Sequence, residues 1–181
     1  MTRYIVIALF ATLLLTSCSP SATKKAAEIE MLEKELKESS QNGKSDTSKV
    51  KQLLGDYMFY AKTFTTDSLT PVYLMKSALF FQHVRLLDSA IYCYNTVYTK
   101  FPQYPKAGMA LFSEAFIYGN EKHDLIKAKA MYEEFLAKYP NSTMAPSAQM
   151  ELQSLGKTPE QIMAEIDSMK AVREAATATQ R

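Results

Sequence analysis

Apolar residues recur at helical spacing along most of this chain. Leu53, Tyr57, Tyr60 and Phe64 stand at i, i+4, i+7 and i+11, one face of a helix beginning near residue 49. The pattern breaks over 63–70. Thr70-Pro71 then offers an N-cap followed by proline at the first helical position, which predicts a helix over 71–83. A turn near Arg85 leads to a second helix over 87–100, stopped by Phe101-Pro102. Tyr104-Pro105 starts the next helix by the same device. It is expected to end at Tyr118-Gly119-Asn120, with Gly119 as a left-handed C-cap.

A helix over 124–138 follows and halts at Tyr139-Pro140, and a short one through Ala145, Ala148, Leu152 and Leu155 is closed by Gly156. Thr158-Pro159-Glu160-Gln161 is a capping box that opens a last helix through Ile162, Ile166 and Met169. Upstream, residues 24–40 are charged and helix-prone, with Ile29, Leu32 and Leu36 at i, i+3 and i+7. Two heptads are short for a coiled-coil seam, so a solvated helical stalk is the favoured reading. Residues 41–48 form a polar hinge containing Gly43. The expectation is an all-α chain of about seven helices after an N-terminal leader. Its segments are a leader at 1–17, a tether, stalk and hinge at 18–48, a helical domain at 49–175 and a disordered tail at 176–181.

Composition supports helix. Among 181 residues there are only 5 Gly and no Trp, against 11 Tyr, 9 Phe and 10 Met. A net charge of +2 excludes a strongly basic nucleic-acid binder, and 47% hydrophobic residues exclude wholesale disorder. Two His and two Cys are too few for a His/Cys metal cage, so no metal and no cofactor is expected.

The N-terminus carries an address. Arg3 precedes an apolar run over 4–15, shorter than the roughly 20 residues a membrane-spanning helix needs, and small residues follow. Leu15-Thr16-Ser17-Cys18 resembles the bacterial lipobox. That resemblance implies acylation of the Cys18 thiol, cleavage before it, and firm anchoring by several acyl chains. Ser19, where aspartate would mark inner-membrane retention, implies the outer membrane, most naturally its periplasmic side. Cys93 would then be a lone thiol within the apolar stripe Leu87, Ala90, Ile91, Tyr94, read as a buried small hydrophobe.

The chain also repeats itself. A shift of 38 residues places Leu87 on Leu125, Ala90 on Ala128, Tyr94 on Tyr132, Lys100 on Lys138 and Pro102 on Pro140. Small, aromatic and breaker residues therefore recur in register. The pattern Ala78, Ala90, Tyr94, Pro102, followed by Ala115, Ala128, Tyr132, Pro140, resembles the tetratricopeptide repeat over about residues 49–170. The longer period is similar to that of tetratricopeptide lipoproteins of Gram-negative envelopes, such as those of the β-barrel assembly machine and the Tol–Pal system. It departs from the signature at the helix turns, where glycine is usual: Leu87-Asp88 in the first repeat, and a one-residue insertion near Glu121–Asp124 in the second.

No phosphate-binding loop, dinucleotide fingerprint, zinc-protease or nucleophile-elbow motif occurs, and the acidic pairs fall at helical spacing among lysines. Non-enzymatic chemistry is the expectation, with no catalytic residue assigned. The resemblance implies a concave face lined by Met75, Leu79, Gln82, Met109, Phe112 and Phe116, an apolar groove suited to a peptide. The same residues would equally serve as packing between neighbouring helices in so short an array. The function expected is a lipid-anchored scaffold or adaptor for an envelope protein or peptide, without nucleic acid. The alternative is a lipoprotein that captures a substrate or peptide for an outer-membrane transporter.

Overall fold

The computed structural model describes residues 21–43 and 46–178, and among them it holds helices and no strand. Eight α-helices follow one another: α1 Ala22–Gln41, α2 Thr47–Thr63, α3 Thr70–His83, α4 Leu87–Lys100, α5 Ala107–Phe116, α6 Leu125–Lys138, α7 Ala145–Ser154 and α8 Pro159–Ala178. A π-helical turn, Ile117–Glu121, prolongs α5. Cys18 lies outside the described residues.

The ends of these helices have local causes. Ser21, Asp46 and Asp124 cap α1, α2 and α6 by accepting from the backbone N–H groups of Lys24, Lys49 and Lys127. The capping box at α8 is formed in both directions: the Thr158 N–H donates to Gln161 Oε1 at 2.8 Å, and the Gln161 N–H to Thr158 Oγ1 at 3.3 Å. At α3 the cap position falls on Leu69 and not on Thr70. The Thr70 hydroxyl donates instead to the Phe64 carbonyl, tying α3 to the end of α2. The final helix runs further than expected, to Ala178.

Each helix from α1 to α7 packs mainly on its neighbours in sequence. Ala78, Ala90, Cys93, Tyr94 and Val97 build one buried cluster between α3 and α4, continuing into Ala110 and Ile117. Leu111, Ala115, Ala128, Tyr132, Phe135 and Ala148 build a second between α5, α6 and α7. The alanines aligned by the 38-residue shift, Ala90 and Ala128, are both fully buried, as are the aligned Tyr94 and Tyr132. Small side chains let paired helices approach while the tyrosines fill the gap to the next pair.

The hairpin turns show how the repeat tolerates its missing glycines. Arg85 and His123, 38 residues apart, take left-handed backbones with φ of 63° and 55°. A non-glycine residue there costs on the order of 1 kcal/mol. Ala78 to Ala115 spans one residue fewer than Arg85 to His123, so the second hairpin carries one extra residue. The π-turn takes it up through the Lys122 N–H, which donates to the Ile117 carbonyl at 2.9 Å. Gly119, expected as a left-handed cap, lies inside this turn and is absent from the positive-φ residues. A Cβ there would stand 3.2 Å from Leu155 Cδ1 and 3.4 Å from the Ala128 Cβ, so glycine serves close approach.

The segment expected as a solvated stalk is docked. α1 folds back on α2, with Ile29 0% exposed against Tyr57, Tyr60 and Tyr73. Its charged flank is engaged as well: Lys25 pairs with Asp56 at 2.7 Å and Lys49 with Glu35. Gly43, just after α1, is left-handed at φ 69°.

Candidate functional site

The six residues assigned to a groove arise from two helices with the same role in successive hairpins. α3 supplies Met75, Leu79 and Gln82, and α5 supplies Met109, Phe112 and Phe116, since both run at helical spacing along one side. Their environments differ. Met75 is 4% exposed and belongs to the first core cluster. Gln82 is half-buried and accepts the Tyr94 hydroxyl at 3.0 Å. Phe112 is half-buried, edge-on to Tyr132 and Phe135 at centroid distances of 5.5 and 5.7 Å. Phe116 is also half-buried.

Leu79 and Met109 remain, 55% and 39% exposed. Met109 lines an open hollow with Lys106, Tyr139 and Pro140, where α5 begins and α6 ends. Contacts inside the fold thus occupy Met75, Gln82 and Phe112, and Leu79 and Met109 are the exposed apolar side chains of the six, with Phe116 half-buried beside them.

Two polar constellations were not singled out from the sequence. In the first, Glu33 Oε1 on α1 accepts from the Tyr57 hydroxyl and from Lys76 Nζ, both at 2.6 Å. Tyr57 and Tyr73 stack at 5.2 Å, and Lys76 Nζ lies 5.5 and 5.8 Å from their ring centroids. The cation is therefore shared by a carboxylate and two aromatic faces, which fastens α1 to α3. Burial, followed by the Glu33 carboxylate, pushes the Tyr57 phenol well above the usual tyrosine range. The only sequence trace was that Glu33 flanks the apolar seam of α1.

In the second, Glu114 on α5 is 2% exposed between α4 and α6. Burial raises its carboxyl value, opposed by hydrogen bonds from Tyr98 and Asn95 and by the Lys127 charge. Its Oε2 has no hydrogen-bond partner among the described residues. A glutamate between Ser113 and Ala115 on a helical face carries no mark that it points inward. Cys93 is fully buried, its thiol pushed up to about 12 by desolvation, with Met58 Sδ 3.9 Å away. Such a thiol is a packing residue and not a nucleophile at neutral pH.

Among the described residues no group of three or more His, Cys, Asp or Glu is arranged to hold a metal ion. No helix among them is long and apolar enough to cross a membrane. No protein-family model matches the chain, and no curated protein is significantly similar to it.

Proposed function

We propose that this chain is a lipid-anchored, non-enzymatic scaffold of the bacterial cell envelope. On this reading it is a short array of tetratricopeptide-like hairpins, held at the outer membrane by acylation of Cys18 and engaging an envelope protein or peptide. The observation that carries the reading is the recurrence of one packing unit. Ala90 with Tyr94 and Ala128 with Tyr132 are buried in equivalent hairpins, and among the described residues each hairpin packs mainly on its neighbours. Stacked hairpins of this kind expose an extended face, which suits binding of another chain. The lipobox-like Leu15-Thr16-Ser17-Cys18 supplies the anchor.

The test is metabolic labelling with a fatty acid in a host that has an outer membrane, followed by capture of crosslinked partners. Wild type should incorporate label and Cys18→Ala should not; equal incorporation would overturn the anchor. Leu79→Asp with Met109→Asp should cut partner recovery about tenfold with the melting temperature essentially unchanged, because both side chains are exposed. Undiminished recovery would remove this face from the binding surface.

A further inference from the structure

The helices alternate in direction, so the starts of α1, α3, α5 and α7 share one rim with the ends of α2, α4 and α6. Two hollows on that rim show the convergence. One is lined by Lys62, Thr65, Thr70, Lys100 and Phe101, the other by Pro105, Lys106, Lys138, Pro140 and Met144.

Cations collect here. Lys62, Lys100 and Lys138 stand in the last turns of α2, α4 and α6, Lys106 immediately precedes α5, and Lys24 lies in the first turn of α1. Lys138 is paired with Glu134, and the nearby Asp67 carboxylate caps Leu69. Lys24, Lys62, Lys100 and Lys106 have no acidic group within salt-bridge distance among the described residues. On the opposite rim acids stand among the cations: Arg85 pairs with Glu121, Lys122 with Asp88 and Lys49 with Glu35. Although Lys37, Lys51 and Lys127 form no ion pair among the described residues, the Asp46 and Asp124 carboxylates cap the helices that carry Lys51 and Lys127.

Helix dipoles account for lysines in last turns. They do not account for Lys24 and Lys106, which sit at helix starts where a cation is unfavourable. The placement makes sense against an external negative surface.

We propose that this rim rests on anionic lipid headgroups. The inference relies on Cys18 being the lipid attachment. Cys18 stands three residues before Ser21, the cap of α1, and three extended residues reach about 10 Å. The start of α1, and with it the rim, is therefore held close to the headgroups, comparable with the screening length of about 8 Å in physiological salt. Each unpaired lysine at that range changes partitioning roughly fivefold on an anionic surface.

The full chain, purified from membranes and reconstituted into phosphatidylcholine vesicles with or without about one third phosphatidylglycerol, provides the test. The chain has no tryptophan, so Gln103→Trp between α4 and α5 reports on this rim, and Asn42→Trp after α1 on the opposite one. Headgroup-labelled lipid should quench the first severalfold more than the second, in anionic vesicles and with salt sensitivity. Replacing Lys24, Lys62, Lys100 and Lys106 together by Gln should abolish that difference. The same change at Lys34, Lys37, Lys51 and Lys129, which matches the charge, should not.

Equal quenching of the two tryptophans, or quenching indifferent to the four rim lysines, overturns the proposal. Flotation with neutral vesicles in high salt reads the anchor alone. Flotation retained without anionic-lipid contact refutes the rim and keeps the anchor. Loss of that flotation with salt-sensitive binding to anionic vesicles does the reverse.

Discussion

Glu114 shows how much one buried residue sets the pH response of the fold. Its carboxyl is desolvated between α4 and α6 and lacks a partner at Oε2. Because burial raises its value, the folded chain retains the proton to higher pH than the unfolded chain does. Stability contributed by the neutral acid is then present below the unfolded value and is lost as pH rises through the folded one. Glu114→Gln should remove that loss. At neutral pH it should stabilise the chain by about 1 kcal/mol, or roughly 2–4 °C in melting temperature, and flatten melting temperature against pH above 4.5. Thermal melts of both proteins between pH 4 and 8 check this; an unchanged pH profile would mean that Lys127, Tyr98 and Asn95 already compensate the charge.

At the scale of elements, what was legible in the sequence follows from strength of local signal. Proline stops, caps and the 38-residue register carry their own sterics, so α3, α4, α6 and the α8 capping box fall within a residue or two of expectation. The hairpin turns were less legible, because Arg85 and His123 adopt a backbone that composition assigns to glycine. The inserted residue vanished into a π-turn that has no composition of its own.

α1 misled for a different reason. Its apolar stripe is too short for a seam between long helices, yet it is long enough to cover Tyr57, Tyr60 and Tyr73. Docking depends on a complementary aromatic patch elsewhere in the chain, and periodicity within one segment cannot register that. The groove residues illustrate the same limit, since Phe112 and Leu79 look alike in sequence and only tertiary neighbours separate them. Docking of α1 makes Ile29→Ala costly: removal of a fully buried isoleucine should lower stability by about 2–4 kcal/mol, measured by urea unfolding. A freely solvated α1 would leave the midpoint unchanged.

Across the whole molecule, packing between sequential neighbours makes stability a chain of local couplings. α4 and α6 are clasped on both sides and carry the two main clusters. α8 is different: of its residues whose burial is described, Ile162 alone is half-buried, and Met163, Met169 and Val172 are well exposed. Most helical stability in proteins comes from packing of an apolar face, and α8 buries almost none, so its hydrogen bonds should open without disturbing the rest. Native-state hydrogen exchange should therefore find amides of α4 and α6 protected about a thousandfold or more beyond those of α8. That gradient should run along the sequence, with α7 between them because it packs mainly on α6 and bears only part of the second cluster. Equal protection in α8 and α6 would mean that the exposed methionines and valine are covered in solution by another surface, and α8 would then join the binding face.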